Sequence, residues 1–314
     1  MARASYDIIG DIHGHSRSLE ALLERLGYRH TAGLYRHPSR TAIFLGDFID
    51  RGEFQCEVIE IVRSMVDSGA ALSVMGNHEF NAIAYYTPDH EAGGYLRPHS
   101  EKNGKQHQAF LEACATTTAG YDDTINWFKT LPLWLDLGDL RIIHACWDRH
   151  EITAIQEFQD GDNHLGEELL RLSCRAGSWQ FRAIETILKG KEIALKPGAC
   201  FRDKDGNVRR NIRVRWWDRR ATTYKDAFMG PESARTHIPE DEIVCDHLVD
   251  YSHAAAPVFL GHYWMEGVPV PLAPNIACLD YSVAKPGGRL VAYSWDGEQT
   301  LEAGKYVWVE RIES

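Results

Sequence analysis

Two carboxylates and a guanidinium occur within one short segment, residues 46–52, which reads Gly-Asp-Phe-Ile-Asp-Arg-Gly. The apolar run of residues 42–45 leads into this segment, and apolar residues at helical spacing follow it. The side chains of Asp47, Asp50 and Arg51 therefore lie at the predicted end of a strand, where open α/β sheets bind their ligands. Two acids and a base at such a turn indicate binding of a metal ion and a phosphate group rather than packing.

Four other segments repeat the order of an apolar strand, a small residue and then a side chain of a type that binds metals. They contribute Asp11 and His13, Asn77 and His78, His144, and His262. In an extended stretch residues i and i+2 point the same way, so Asp11 and His13 can reach one ion. Mixed carboxylate, amide and imidazole ligands suit manganese, iron or zinc, whereas calcium prefers oxygen ligands alone. Asp47 lies between the other ligands in chain order and can bridge two ions through its two oxygens.

Hydrolysis of a phosphate ester is the chemistry for which two ions are useful. A bound metal lowers the pKa of its water to about 7, and two ions about 3.5–4 Å apart can hold both the attacking and the ester oxygens. His78 follows the ligand Asn77 and is placed to protonate the leaving group as a general acid. We expect Asp50 to hold His78 in the correct tautomer and Arg51 to bind two phosphate oxygens.

The five segments together resemble the motifs of the calcineurin-like metallophosphoesterase superfamily. The matching stretches are Gly-Asp-Ile-His-Gly at 10–14, the segment 46–52, Gly-Asn-His-Glu at 76–79, His-Ala at 144–145 and Gly-His at 261–262. The Asp-Arg-Gly ending of the second stretch and the complete third stretch are similar to one branch of this superfamily. That branch holds the phosphoprotein phosphatases and the bacterial diadenosine tetraphosphatases.

The resemblance implies an α/β fold in the form of a four-layer α/β/β/α sandwich, with two mixed central sheets and a dinuclear metal site. It implies that the first ion binds Asp11, His13 and Asp47. It implies that the second ion shares Asp47 and has three further ligands, namely Asn77, His144 and His262. Manganese is the ion expected first, and iron, zinc, cobalt and nickel are the alternatives.

Two positions depart from the family pattern. Cys146 stands where the fourth motif usually has a glycine, although the ligand His144 before it is retained. Trp264 occupies the position at which many members carry a last ligand histidine, so the first ion would have one protein ligand fewer, as in the phosphatase branch. That branch also uses a second phosphate-binding arginine late in the chain, for which Arg213 and Arg215 are the candidates.

The elements that must position these residues alternate along the chain. Strands are predicted at residues 6–9, 41–45 and 70–75, each ending in glycine and polar residues, with helices between them. This pattern favours a βαβαβ unit whose site lies at the carboxyl ends of the strands. Two apolar runs within residues 133–143, separated by Gly-Asp, predict a hairpin that ends at His144.

The rest of the chain is interpreted as additions to that unit. Residues 87–108 are polar and irregular, which is typical of a lid or a surface excursion. The interval 151–240 is interpreted as an insert of helices and a hairpin that caps the site within a single domain of residues 1–314. Turn signals at 286–288 and 296–297 predict antiparallel strands that close a second sheet.

The composition excludes several classes of function. Among 314 residues, 45 acidic against 34 basic side chains give a net charge of −11, which argues against a general nucleic-acid or membrane-surface binder. Seven scattered cysteines without a Cys-x-x-Cys pair favour reduced thiols in a cytoplasmic protein. No apolar segment is long enough to span a membrane or to form a signal peptide.

The substrate is left open by the motifs. Arginines and tryptophans cluster in the insert, where they could bind a polyanion or form a solvated hairpin. These residues are Arg202, Arg209, Arg210, Arg213, Arg215, Trp216, Trp217, Arg219 and Arg220. Both tryptophans are expected in the core or in a wall of the site, where they could stack on a substrate base. Nearby, residues 203–207 fail the calcium-loop pattern and are interpreted as a hairpin turn.

Three functions therefore remain as alternatives. The first is a metal-dependent hydrolase of small phosphorylated or nucleotide substrates, similar to a bis(5'-nucleosyl)-tetraphosphatase. The second is a serine/threonine phosphoprotein phosphatase, and the third is a non-catalytic protein-interaction module on the same fold. The complete ligand set and the retained His78 argue against the third alternative. The oligomeric state is not predicted.

Overall fold

The computed structural model of the protein describes residues 5–114, 118–202, 208–230 and 232–313. The stretch 203–207, interpreted above as a hairpin turn, lies outside the described residues, and so does the side chain of Arg202. Within the described ranges no helix is both long enough and apolar enough to cross a membrane.

The N-terminal part contains the predicted alternation of strands and helices. Leu19, Leu22 and Leu23 are fully buried on one face of the first helix, which ends at Gly27 in the left-handed conformation. The elements are β1 (Tyr6–Ile9), α1 (Ser16–Leu26), β2 (Arg29–Thr31), β3 (Leu34–Arg36), β4 (Thr41–Phe44), α2 (Gln55–Asp67), β5 (Ala71–Ser73) and α3 (Asn77–Tyr86).

The middle of the chain is mainly helical, and it includes the predicted hairpin as β6 and β7. Its first elements are α4 (Glu101–Cys114), α5 (Thr118–Lys129), β6 (Trp134–Asp136), β7 (Arg141–Ile143), α6 (Arg149–Phe158), α7 (Glu167–Ser173) and α8 (Trp179–Lys189). Short elements then follow: β8 (Glu192–Ala194), β9 (Phe201–Arg202), β10 (Val208–Arg209), β11 (Asn211–Arg213), α9 (Tyr224–Ala227) and α10 (Glu232–Arg235).

The C-terminal part consists mainly of strands. They are β12 (Val258–Leu260), β13 (Ile276–Cys278), β14 (Asp280–Tyr281), β15 (Arg289–Trp295) and β16 (Tyr306–Glu310), with a short 3₁₀ helix at Ala303–Lys305. The turn signal at 296–297 follows β15, which pairs antiparallel with β16 as the predicted hairpin requires.

Two mixed sheets form the centre of the protein. The first has the order β14-β15-β1-β4-β5, with β16 also paired to β15, and β1, β4 and β5 are parallel. The second has the order β13-β12-β7-β6, with β12 parallel to both neighbours. Buried residues of both sheets, such as Ile43 and Phe259, belong to one apolar core cluster. The α/β class with two mixed sheets is therefore confirmed.

Two predictions about secondary structure are wrong. A helix, α4, begins at Glu101 inside the segment expected to be irregular, and it is stabilised because His107, Phe110 and Cys114 are buried at helical spacing. The late strands β15 and β16 join the first sheet instead of closing the second. All four residues of β1 pair with β15, with Ile8 opposite Tyr293, and β16 pairs with β15.

The prediction that all cysteines are reduced is also wrong. Cys56 of α2 and Cys114 of α4 form a disulfide, with Cα atoms 6.0 Å apart and a sequence separation of 58. Only the packing of α4 against α2 brings the two thiols together, so their spacing carried no signal. The remaining cysteines are free, namely Cys146, Cys174, Cys200, Cys245 and Cys278. A cytoplasmic location stays a prediction.

Candidate active site

The five predicted segments lie at the carboxyl ends of strands in both sheets. In the first sheet Asp11 follows β1, Asp47 follows β4 and Asn77 follows β5. In the second sheet His144 follows β7 and His262 follows β12. Because the strands concerned are parallel within each sheet, their carboxyl ends lie at one edge. The structure brings these residues together there, in a single buried cluster.

The carboxylate of Asp47 lies between two groups of histidines. Its Oδ1 is 3.4 Å from His144 Nε2, and its Oδ2 is 3.7 Å from His13 Nε2. Ligand-type atoms of His13, Asp47 and His78 lie within 4.8 Å of one another, and so do those of Asp47, His144 and His262. One carboxylate thus takes part in both groups, which is the arrangement that a bridging ligand needs.

Asn77 and Asp11 complete the cluster. The Oδ1 of Asn77 is 3.2 Å from His144 Nε2 and 2.6 Å from His262 Nδ1. The Oδ2 of Asp11 accepts the backbone N–H of His262 at 3.0 Å, so Asp11 lies beside the second group of histidines. A Cβ atom at Gly261 would be 2.1 Å from Asp11 Oδ1, and only glycine allows this close approach.

The backbone is strained around the cluster. Six of the nine described non-glycine residues with positive φ belong to it, namely His13, Asp47, Asp50, Arg51, His262 and Trp264. Each left-handed residue costs about 1–2 kcal/mol, and such strain concentrates at functional sites. The φ of +48° at His13 places this residue in a turn with Gly14, so the extended geometry predicted for Asp11 and His13 is wrong.

Glu79 holds the turn that carries Asp47, a role that the sequence interpretation missed. Its Oε2 accepts the backbone N–H groups of Asp47 at 2.8 Å and Gly76 at 2.9 Å, and its Oε1 accepts that of Phe48 at 2.9 Å. Gly46, with φ of +87°, packs so closely that a Cβ atom there would be 2.2 Å from the nitrogen of Gly76. Burial and the neighbouring Asp47 raise the pKa of Glu79 to about 7.

Backbone carbonyl groups orient two of the histidines. The Nδ1 of His13 is 2.9 Å from the oxygen of Ile49, and the Nδ1 of His144 is 2.6 Å from the oxygen of Leu45. In the neutral ring, Nδ1–H donates to the carbonyl and leaves Nε2, which faces Asp47, without a proton. That tautomer is the one in which histidine binds a metal.

The donor set fits divalent cations. Asp11 Oδ1, His13 Nε2 and His262 Nε2 are buried and have no hydrogen-bond partner in the part of the chain that the structure describes. Each such atom costs about 1–3 kcal/mol. Burial alone would lower the pKa of His144, but the carboxylates of Asp47 and Asp11 raise it to about 10. A cation at this position would satisfy the buried atoms and neutralise both carboxylates.

His78 and Asp50 form the predicted pair beside the cluster. The Nδ1 of His78 lies 2.5 Å from Asp50 Oδ2. Burial alone would lower the pKa of His78, but the carboxylates of Asp47 and Asp50 raise it overall. This direction of the pKa shift is the one that a proton donor needs. The Nε2 of His78 lies 3.9 Å from Asp47 Oδ2.

His107 is a second histidine on Asp50 and was not predicted. Its Nδ1 is 2.9 Å from Asp50 Oδ1, and the residue is only 4% exposed. Burial would raise the pKa of Asp50, but the hydrogen bonds from His107 and His78 lower it overall. The only sequence signal was the helical spacing of His107, Phe110 and Cys114, which the polar residues around them obscured.

Arg51 lies at the rim of the cluster, stacked on an aromatic ring. Its guanidinium carbon is 4.2 Å from the ring centre of Trp264, a cation–π contact, and the arginine is exposed. The backbone N–H of Trp264 donates to Asp280 Oδ2 at 2.7 Å, which fixes the tryptophan. The guanidinium is thus held near the cluster, and no carboxylate of the described residues forms an ion pair with it.

A cavity of about 1200 Å³ opens over the cluster. Eight basic residues line it, which are Arg51, Arg97, Lys102, Lys105, Lys189, Arg209, Arg210 and Arg213. Five acidic residues line it, which are Asp47, Asp50, Glu112, Glu185 and Glu192. The cavity wall thus carries an excess of positive charge in a chain whose net charge is −11, and it suits an anionic ligand.

The arginine and tryptophan cluster of the insert is divided by the structure. Three of its arginines line the cavity, namely Arg209, Arg210 and Arg213. The pKa of His262 is lowered mainly by its burial and next by the charge of Arg213. Arg215 is not among the described residues that line this cavity. Trp216 and Trp217 are buried in the apolar core, as expected. Of the two candidates for a second phosphate-binding arginine, only Arg213 is placed at the site.

The chain matches the family described as calcineurin-like phosphoesterase over residues 5–262. The chain belongs to this family. Among curated relatives it is 46% identical over 74 residues to the bis(5'-nucleosyl)-tetraphosphatase PrpE of Halalkalibacterium halodurans, which is 23% of this chain and 30% of that protein. It is 33% identical over 128 residues to the PrpE protein of Bacillus cereus, or 40% and 43% of the two chains. The matched part thus spans less than half of these relatives.

Solved structures of low sequence identity share the fold of this calcineurin-like phosphoesterase. A serine/threonine phosphatase from Saccharomyces cerevisiae superposes with a TM-score of 0.54 at 14% identity, over 100% of this chain and 82% of that one. A crystal structure proposed to be a diadenosine tetraphosphatase gives a TM-score of 0.50 at 16% identity, over 99% and 96% of the two chains.

The two departures from the family motifs have structural explanations. Cys146 is fully buried, and burial raises the pKa of its thiol. It belongs to neither group of ligand-type atoms among the described residues, so it is interpreted as a packing residue. Trp264 stacks under Arg51 in place of a ligand histidine. In this calcineurin-like phosphoesterase residue 264 therefore contacts Arg51, and the indole ring of Trp264 offers no ligand atom for a metal.

Proposed function

We propose that this chain is a metal-dependent hydrolase of phosphate esters or anhydrides, with small nucleotide polyphosphates as its substrates. The observation that carries the proposal is the carboxylate of Asp47, shared between two groups of histidines beside buried ligand atoms that lack partners. The names of the PrpE relatives support the substrate class, and the basic wall of the cavity supports an anionic substrate.

In this proposal two divalent ions, manganese by first choice, bind at the cluster. The first would be held by Asp11, His13 and Asp47. The second would share Asp47 and bind the remaining ligands, which are Asn77, His144 and His262. When bound, the ions lower the pKa of a water molecule and draw negative charge from the phosphoryl oxygens.

The other residues of the site bind the phosphate and move a proton. Arg51 donates to phosphoryl oxygens from its stacked position on Trp264, and Arg213 is proposed as the second phosphate-binding arginine. His78 gives the proton of Nε2 to the oxygen of the leaving group. Asp50 holds His78 through Nδ1, which keeps the donor nitrogen directed at the substrate.

We extend the proposal to the architecture. The helices α1 and α2 lie against the first sheet, which supports the four-layer α/β/β/α arrangement. Residues within 151–240 contribute one wall of the cavity, which supports a cap on the site inside a single domain of residues 1–314. A cytoplasmic location belongs to the same proposal, because its substrates are intracellular nucleotides.

The proposal is tested with a panel of substrates on manganese-loaded protein. We expect diadenosine tetraphosphate to be hydrolysed with a kcat/KM at least about tenfold above that for phosphopeptides, since a cavity with a basic wall favours the more highly charged substrate. Removal of metal with EDTA should abolish turnover, and manganese should restore it. A preference for phosphopeptides would favour the phosphoprotein phosphatase, and inactivity on every substrate would favour the non-catalytic module.

His107 gives a further prediction. We expect His107→Phe to lower kcat on an alkyl phosphate about tenfold, because Asp50 loses a buried hydrogen bond and no longer holds His78 firmly. KM and manganese content should stay unchanged, since His107 lies outside the metal cluster. His107→Asn, which retains an N–H donor, should recover part of the loss. In an Asp50→Asn background the same substitution should have little effect, and an undiminished effect there would contradict the positioning role.

A further inference from the structure

Arg97 lies in the loop between α3 and α4 and lines the cavity. Its Nη1 donates to Asn81 Oδ1 at 2.7 Å and its Nη2 donates to Gln106 Oε1 at 2.9 Å, and both acceptors are neutral amides. No carboxylate of the described residues lies within 4.0 Å of this guanidinium. Burial lowers the pKa of Arg97, and the charge of Asp50 acts in the opposite direction. By contrast, Arg175 in the same region pairs with the carboxylate of Asp89. A partly desolvated charge without a counter-ion needs an anion.

The position of Arg97 relates it to the proton donor. Its acceptor Asn81 lies three residues after His78 on α3, which is about 4.5 Å along the helix axis. Its other acceptor, Gln106, is adjacent to His107, and Asp50 is the acid that most strongly favours the charged form of Arg97. The guanidinium therefore lies close to the group formed by His78, Asp50 and His107, in the cavity that the cluster also lines.

In the proposed reaction His78 protonates the leaving oxygen, so the group that carries this oxygen lies beside His78. Arg97 lines the same cavity as His78. Two exposed lysines of α4, Lys102 and Lys105, line the same part of the cavity, and within the described chain neither forms an ion pair. An alcohol released from a phosphomonoester carries no charge for these three cations to bind, whereas a second phosphate group is an anion that they can bind.

We propose that Arg97, with Lys102 and Lys105, binds a second phosphate group of the substrate, and that this subsite selects phosphoric anhydrides over monoesters. The inference rests on the proposed function and specifies its substrate class. In the cleavage, the oxygen of water bonds to the attacked phosphorus and the bridging P–O bond breaks. The bridging oxygen leaves on the second phosphate with the proton of His78, and the displaced proton of the water passes to solvent.

The test compares an anhydride with a monoester. Arg97→Gln removes the charge but keeps a polar side chain, and we expect it to lower kcat/KM for diadenosine tetraphosphate about 10- to 100-fold. The value for p-nitrophenyl phosphate should stay within about threefold, since this ester has no second phosphate. Arg219→Gln, on an exposed arginine paired with Asp250, is the control and should leave both values unchanged.

Binding provides a readout that does not need turnover. Methylenediphosphonate carries two linked phosphonates, and calorimetry should find its affinity for manganese-loaded Arg97→Gln about tenfold below that of the wild type. The affinity for orthophosphate should not change. Arg97→Lys is used instead if Arg97→Gln does not fold. It retains the charge but not the bidentate contact, so we expect a smaller loss of affinity for methylenediphosphonate.

Each outcome decides between specific alternatives. Equal losses on the anhydride and the monoester would mean that Arg97 only fixes the loop to Asn81 and Gln106, and the subsite would be rejected. An unchanged affinity for methylenediphosphonate would reject it as well. If the wild type hydrolyses no substrate, the proposed function is refuted. The subsite would still stand if Arg97→Gln binds the diphosphonate more weakly than the wild type does.

Discussion

Asp47→Asn is expected to reduce hydrolysis at least about 1000-fold and to leave fewer than two manganese ions bound per chain. The amide keeps the size of the side chain and one acceptor oxygen for the backbone N–H of His78, which the carboxylate accepts at 2.9 Å. It removes the second anionic oxygen, the one that lies 3.7 Å from His13. Without it the two groups of histidines no longer share a charged ligand, and several kcal/mol of transition-state stabilisation are lost.

A second buried aspartate provides the matched control for this prediction. Asp7 is fully buried on β1 and pairs with Arg40 at 2.9 Å, yet it is not among the residues that group around a metal position. Asp7→Asn should therefore lower thermal stability but keep both ions and most of the kcat. Metal content by mass spectrometry and kcat on diadenosine tetraphosphate separate the two variants. Full activity in Asp47→Asn would refute its bridging role.

The site could be predicted largely from sequence because its chemistry is local to strand ends. Residues 46–52 contain the carboxylates, the guanidinium and the glycines of one turn, and parallel strands place such turns at the same edge. The same logic extends to Asn77 and His262, which each follow a short buried strand. What the alternation pattern could not predict was the conformation of these turns, since positive φ at Asp47 or His13 depends on packing between the turns.

The unpredicted parts of the site depend on contacts that are distant in sequence. His107 reaches Asp50 across 57 residues, and the disulfide joins positions 58 residues apart. Both contacts need α4, whose Asn103 and Gly104 disfavour a helix, so burial of one face and not propensity forms it. The turn signals on either side of β15, at 286–288 and 296–297, correctly predicted turns. They could not predict which sheet β15 joins, because that is decided by its pairing with β1.

Strand pairing and the position of α4 together give the cavity its charge. The cluster of candidate ligands is built on the two sheets, whereas Lys102 and Lys105 belong to α4, and Arg209 and Arg210 lie in the interval predicted to be an insert. The candidate ligands could therefore be predicted from motifs that follow strands. The basic residues that we propose to distinguish one phosphate substrate from another lie on elements whose packing the sequence does not reveal.

His78→Ala is expected to lower kcat about 100- to 10,000-fold on substrates with poor leaving groups and to keep both metal ions. General acid catalysis contributes a factor of this size, and it matters most when the leaving oxygen is strongly basic. On p-nitrophenyl phosphate the loss should stay below about tenfold, because nitrophenolate leaves without a proton. Comparing kcat on an alkyl phosphate and on this aryl phosphate measures the effect, and equal losses on both would contradict the role.

The pairing of His78 with Asp50 makes this prediction sharper, because a proton donor and its orienting carboxylate act as one unit. Asp50→Asn alone should lower kcat on an alkyl phosphate, whereas in the His78→Ala background it should cost little more. His164, which pairs with Asp162 at the surface at 2.7 Å, is the matched control, and His164→Ala should leave kcat unchanged. Additive losses from the first two substitutions would mean that Asp50 acts independently of His78, and the orienting role of Asp50 would be refuted.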